Sequence, residues 1–522
     1  MTHLAATPRL LQAGGAVRLA RYFWPIAGAL LALRLVIDAR AELVPDEAFY
    51  WTWTRHLSAG YFDHPPMVAW LMWLSTRILG NTELAVRLPA AVLSLGSLAV
   101  LVKLAHRLLG DARAVGFVIM MWVAGPLLPV IGTIHTPDAS ATFFSVCALA
   151  CAVRISDRDD RDDSAGRSDR AGAAGLWLLF GLFTGLALLS KYTTVLVPGG
   201  VGLAMLTSRR GRAHLARPWP YLSALVALAV FSPVIYWNAT HQWASFLFQL
   251  RHGASGDLAE DAHGALKILL RRAGGLGEFV GGQAVVWTPV LFVVTLIVIV
   301  VNWGKYGRLR NADRTLLWCG TLPLIFFGWA STRSHGEINW PAFAYFPLSL
   351  LIARYLSENW EGNRVHWVRK GCEVALCFTV GVHLLGTPSI QQRLLKWHWP
   401  IPHQVTDLSG WREYGRQLAQ RANGAPVVCN RHQDAGEAAF YMPGQPDVWC
   451  EGIGFRTTAF DYFDRGRPDY ANTPRVLFVG RHAEMFAEAF HYPFMRRERD
   501  VVLPGLGKNR GRTVTLVERA KE

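Results

Sequence analysis

QAVVWTPVLFVVTLIVIVVNW, residues 283–303, runs for 21 positions without a charged side chain. A helix rising about 1.5 Å per residue would carry it roughly 30 Å, the thickness of a bilayer's hydrocarbon core. The stretch reads as a membrane span. The same template recurs on either side of it, and about eleven passes of near-span length fall between Tyr22 and Pro388, from Tyr22–Asp38 to Cys372–Pro388. Met67–Gly80 is apolar but too short, and reads as an amphipathic helix lying in the interface.

Composition agrees with this reading. Of 522 residues, 52% are hydrophobic and 17% charged, against about 25% charged in soluble proteins. A disordered or fibrous chain is excluded. The net charge of +15 would suggest nucleic acid in a soluble protein, but no basic stripe with interleaved aromatics is present, so no nucleic-acid partner is expected. The surplus sits in short loops, where Lys and Arg mark the cytoplasmic side.

With the N-terminus placed in the cytoplasm, the loops holding Arg107 and Arg113, Arg209 to Arg217, Lys305 to Arg314, and Arg364 to Lys370 all fall inside. The outside loops are acidic or mixed. Residues 156–173 (SDRDDRDDSAGRSDRAGA) mix both signs and read as disordered. Cys147, Cys151, Cys319, Cys372 and Cys377 lie in apolar segments as small hydrophobes, with no metal-binding CxxC.

After Pro388 the composition becomes that of an ordinary soluble domain. Short β-rich runs at 426–430, 475–479 and 513–517 alternate with helical stretches. The expected architecture is a transmembrane domain over 1–390 and an α/β domain over 391–522. The side count puts that domain outside, where Cys429 and Cys450 would meet oxidising conditions suited to a disulfide.

Chemistry is expected where polar groups crowd the ends of spans. The first outside loop, ELVPDEAFYWTWTRHLSAGYFDHPPMVAW (42–70), contains Asp46, Glu47, Asp63 and His64 among aromatics. A carboxylate at the mouth of a membrane cavity suits a general base; the alternatives are a solvated acid in an aromatic belt and a capped turn at Asp63–Pro66. In His135-Thr136-Pro137-Asp138, Asp138 reads as cavity-lining or as a helix cap. Lys191, in LLSKYT, has no acid nearby in sequence and must snorkel or meet an anion. STRSHGEINWP places Arg333, His335, Glu337 and Asn339 in one turn, either a site or an ion-pair network. Asn238-Ala239-Thr240 matches a glycosylation sequon. The loop count puts all these candidate site groups on the outer face, offering a base and cations around an apolar cavity for a substrate with a greasy tail and an anionic head.

At DEAFYW, GYFDHPPM, HTPD, LSKYT and HGEINWPA the chain resembles the PMT/ArnT-like (protein O-mannosyltransferase and aminoarabinose transferase, glycosyltransferase family 39 type) branch of the GT-C glycosyltransferases, over about residues 20–350. The resemblance implies a polytopic α-helical membrane protein of the GT-C kind, with about 11–13 transmembrane helices and a C-terminal soluble α/β domain. It implies an inner-membrane enzyme that moves a sugar from a polyprenyl-phosphate donor to an extracytoplasmic acceptor, a glycan, lipid or protein, with inversion. Carried over, Asp46 is the catalytic base and Glu47 its support. Lys191 and Arg333 face the lipid phosphate, and Asp63, His64, Asp138, His335, Glu337 and Asn339 line the substrate cavity. No cofactor is required, and no motif supports a divalent metal. The competing class is a lipid or sugar transporter, which tends to hold its ionisable groups at mid-membrane in inverted repeats.

Overall fold

The structure, a computed structural model, describes residues 39–125, 127–161, 167–254, 265–334, 336–359, 410–453, 456–498, 500–502 and 511–519, with isolated positions before 39 and between 366 and 381. The expected passes at 22–38 and 372–388 and the domain boundary near 390 lie outside the described residues.

The membrane part is built from α1 (Pro45–Trp53), α2 (Met67–Leu79), α3 (Glu83–Leu109), α4 (Ala112–Ala124), α5 (Pro137–Arg161), α6 (Arg167–Leu188), α7 (Leu196–Leu206), α8 (Trp219–Thr240), α9 (Ala265–Val286), α10 (Pro289–Gly304), α11 (Asn311–Ser331) and α12 (Tyr345–Glu358). Among the described residues α3, α5 and α8 are by themselves long and apolar enough to cross a membrane. Shorter apolar helices and one bent pair make up others of the expected passes. The bundle's outward side chains are apolar: Leu225 on α8 is 61% exposed, Val300 on α10 69% and Ile325 on α11 63%. Such a surface suits lipid. α6 crosses α8 through Gly181 and Gly185, where a Cβ would come within 2.2 Å of the Ser223 carbonyl and 2.8 Å of the Ala227 carbonyl. Small residues spaced by four let two membrane helices touch along their backbones.

Two expectations are corrected here. Residues 283–303 are not one straight pass: α9 and α10 meet at 110°. Pro289 lacks the N–H that would continue the helix and disfavours helical geometry in the residue before it; Thr288, at φ 68°, is outside the helical region. Trp287 fixes the corner, fully buried and stacked 4.7 Å from Tyr345. The supposedly disordered 156–173 stretch is helical at both of its described ends. Its acids knit the end of the bundle remote from Asp138: Asp157 meets Arg107 at 3.2 Å, Asp159 meets His214 at 2.8 Å, and Asp160 accepts the Asn311 and Ala312 amides at 3.0 and 3.1 Å. Mixed charge signals solvated disorder only where the charges lack fixed partners.

The C-terminal part contains α13 (Trp411–Ala422), β1 (Val427–Cys429), α14 (His432–Tyr441), β2 (Trp449–Cys450), β3 (Arg475–Val479), α15 (Ala483–Ala489), β4 (Phe494–Arg497), β5 (Val501–Val502), β6 (Gly511–Arg512) and β7 (Val514–Glu518). The main sheet has the order β2-β1-β3-β7-β4, with β1 parallel to β2 and β3 and with β7 antiparallel to β3 and β4. Cys429 and Cys450 are register partners on β1 and β2 and are both buried thiols.

One core runs from this sheet into α1 and α2, through Phe49, Trp51, Trp53, Phe440 and Phe460. Gly436 is the closest approach, since a Cβ there would lie 2.6 Å from the Phe49 amide nitrogen. Glu42 caps α13, accepting from the Trp411 amide at 2.7 Å, the carboxylate placement a helix N-terminus favours. The first loop and the C-terminal sheet therefore share one interior.

Candidate active site

Asp46 and Glu47 are adjacent in the first turn of α1, behind Pro45. Neighbours on a helix diverge by about 100°, and the two carboxylates part accordingly. Glu47 turns inward and is fully buried. It accepts from Arg87 at 2.7 Å, the Val44 amide at 3.1 Å and the His135 amide at 2.9 Å. Arg87 also donates to the carbonyls of Ala41 at 2.9 Å and Glu42 at 2.7 Å. Glu47, expected to support Asp46 or the donor sugar, has its oxygens occupied in joining α1 to α3 and to the turn before α5.

Asp46 faces open space although dense protein surrounds it. Among the described residues it makes no hydrogen bond or ion pair. Burial first, and then the charge of Glu337, raise its carboxyl above the usual range, while Arg456 draws it back. An accessible carboxylate with a raised pKa is a better base than a solvated one.

The turn at 60–67 places its two polar residues differently. Asp63 is buried and spent on the C-terminal part, accepting from Arg456 at 2.8 Å and from the Ala459 amide at 2.9 Å. These bonds clasp the first outside loop to the C-terminal part. His64 is half-buried, its ring edge-on to Tyr50 at 6.0 Å. The Tyr50 hydroxyl lies within the fields of Asp46, Asp63 and Asp138, so these acids from three segments converge on one side chain.

Asp138, in the first turn of α5, holds Lys191 at 2.7 Å and accepts from the Asn339 amide group at 2.8 Å. Lys191 occupies the break after α6 and is buried. Of the two alternatives for this ammonium, snorkelling or meeting an anion, the structure shows the second. The acid it lacked in sequence stands 53 positions away. Arg333 lies 4.7 Å over the Trp329 ring, half-buried, with no carboxylate partner among the described residues. Glu337 is exposed and near enough to act on Asp46. His335 lies outside the described residues. Among those described, no three His, Cys, Asp or Glu side chains form a cluster able to hold a metal ion.

Asn238 is not a surface sequon. It is fully buried, donating to the Val234 carbonyl at 3.0 Å and accepting from the Phe246 amide at 3.1 Å. The residues that sequence reasoning missed are Arg87, Tyr50 and Arg456. An arginine within the first turns of an apolar span is a signal for Arg87; nothing local marks Arg456.

Helical spans, a site gathered at one end of the bundle and an appended α/β domain define a GT-C-type polytopic membrane protein. A family model described as dolichyl-phosphate-mannose-protein mannosyltransferase matches residues 63–237. Lipid A galacturonosyltransferase RgtD of Rhizobium johnstonii is 28% identical over 320 residues, 60% of this chain and 61% of that one. The undecaprenyl phosphate-alpha-4-amino-4-deoxy-L-arabinose arabinosyl transferase of Enterobacter sp. (strain 638) is 24% identical over 350 residues, 64% of this chain and 59% of its own. The match therefore spans less than two thirds of either relative. ArnT from Cupriavidus metallidurans, solved bound to undecaprenyl phosphate, superposes with a TM-score of 0.60 at 16% identity, covering 95% of this chain and 97% of its own. In sequence the chain is similar to PMT/ArnT-type glycosyltransferases, and in fold it is similar to ArnT.

Proposed function

We propose that this protein transfers a sugar from a polyprenyl-phosphate carrier to an acceptor on the extracytoplasmic side of the inner membrane. The carrying observation is that Asp46, alone among the acids Asp46, Glu47, Asp63 and Asp138, has no group bonded to its oxygens among the described residues, while burial and the charge of Glu337 raise its pKa. In this reading Asp46 takes the proton from an acceptor hydroxyl. The hydroxyl oxygen forms a bond to the anomeric carbon as the bond from that carbon to the phosphate oxygen breaks, with inversion. The polyprenyl phosphate leaves with the electron pair. Arg333 meets the charge developing on the leaving group, aided by the N–H groups of Lys191 not spent on Asp138. Asp138, Asn339 and Tyr50 hold the cavity wall, with His64 and Glu337 beside it. The relatives' names favour undecaprenyl phosphate as the carrier and a lipid-linked envelope glycan as the acceptor.

The test is chemical. Purified protein in detergent, given a polyprenyl-phosphate sugar and an acceptor extract, should release free polyprenyl phosphate only when acceptor is present. A transporter would release none, because detergent removes the two compartments and leaves only chemistry. Absence of release with every sugar tried would sink the transferase reading.

A further inference from the structure

The C-terminal sheet contains a second cleft. β1 pairs in parallel with β2 on one side and β3 on the other, so the chain reverses its direction of travel across the sheet at β1. Ligands of open α/β sheets bind outside the carboxyl ends of strands at such a switch point. Here that position is a cleft of about 540 Å³, the size range of pockets for small molecules.

Four arginines line it: Arg431 after β1, Arg481 after β3, Arg456, and Arg512. Arg456 is neutralised by Asp63 at 2.8 Å, and Arg512 by Asp434 at 2.9 Å. Arg431 and Arg481 are exposed and have no carboxylate partner among the described residues. Two guanidiniums therefore remain uncompensated, and the N-terminus of α14 adds its partial positive charge. Gly480 keeps the two loops together, since a Cβ there would lie 2.6 Å from the Asn430 Cβ. Planar donor forks on two sides of a cleft suit a tetrahedral oxyanion with two or more charges.

Arg456 fixes which anion. It lines the cleft, bonds Asp63 in the loop that leads into apolar α2, and lies near enough to Asp46 to act on its charge. Through Arg456 the cleft is linked to the candidate base and to the loop that leads into α2. We propose that the cleft binds a phosphate of a phosphorylated lipid headgroup and so seats the acceptor at Asp46. The assignment to an acceptor rests on the transferase reading above; the anion site does not.

Binding to the full-length protein in detergent tests it, with four probes: lipid A bearing its phosphates, the same lipid stripped by phosphatase, inorganic phosphate, and undecaprenyl phosphate. The intact lipid should bind, and the double variant Arg431→Ala/Arg481→Ala should weaken it by about tenfold or more while its thermal midpoint stays at that of the natural chain. Arg431→Lys/Arg481→Lys should fall between, keeping charge and losing the fork. The stripped lipid should bind both forms equally. Inorganic phosphate bound as tightly as the lipid would make the ligand a free anion and overturn the headgroup assignment. An equal loss for undecaprenyl phosphate would make this a donor site and overturn it too. Intact lipid held within twofold by the alanine variant would end the proposal outright. Transfer plays no part in this readout, so a protein that binds but never transfers would count against the transferase reading alone.

Discussion

Asp46→Asn keeps the side chain's volume and removes its basicity, so transfer should fall about 10²–10⁴-fold with the protein still folded and inserted. In the natural chain kcat/KM should fall as pH drops through a value above the ordinary 3.8, because burial and Glu337 raise that carboxyl and only its deprotonated form can take a proton. Near-normal turnover by Asp46→Asn would transfer the role to another group. Glu47→Gln should behave oppositely. It strips the charge from a buried pair with Arg87, a loss that typically costs about 3–5 kcal/mol, so it should appear as reduced folded protein on size exclusion. The Lys191–Asp138 pair calls for a cycle. Lys191→Met or Asp138→Asn alone leaves one buried charge uncompensated, and the two together remove both. The double variant should be more stable than either single one; strictly additive thermal midpoints would show that the pair is not coupled.

Packing α14 against α1 creates the most unusual carboxyl in the seam. Glu437 is fully buried, both its oxygens lack partners among the described residues, and burial, followed by Glu42, Glu47 and Asp434, pushes its pKa well above the ordinary 4.5. The folded state thus favours the protonated form. Stability from this site is fully present below about 4.5, where the unfolded chain is protonated too, and drains away as pH climbs toward the raised folded value. Glu437→Gln holds the neutral shape at every pH. Its stability relative to the natural chain should therefore be flat below 4.5 and improve above it, by up to about 1.4 kcal/mol per pH unit. Chemical denaturation at several pH values would show this, and a difference that does not change with pH would refute the protonated assignment.

Across the whole molecule, α5 separates two polar ends. Asp138 stands at one end, with the C-terminal sheet docked beside it, and Asp157 to Asp160 stand at the other with the arginine-rich loops. Its 25 residues amount to about 37 Å, enough to cross a bilayer. A reporter fused after Arg212 should therefore show cytoplasm, and one fused after Gly410 should show the outer side, since the arginines of the 209–217 loop are retained inside. An outer signal at Arg212 would invert the site and the proposed function with it.

Hydropathy and loop charge are summed over many residues and need no knowledge of contacts, so the membrane class, the appended α/β domain and the shared side of the candidate groups are legible in the chain alone. Pro289 even announces the break in the 283–303 stretch, but the 110° corner depends on Trp287 finding Tyr345 and Trp122. What each polar residue does is decided by partners far along the chain. Asp46 and Glu47 have the same charge and nearly the same address, and a turn of about 100° leaves one accessible and ties the other to Arg87, 40 positions away. Lys191 looks unpaired until Asp138 is brought to it, and Asp63 looks like a site acid until Arg456 arrives from 393 positions away. Ion pairs act over a few ångströms, whatever the separation in sequence; only folding brings those partners within reach.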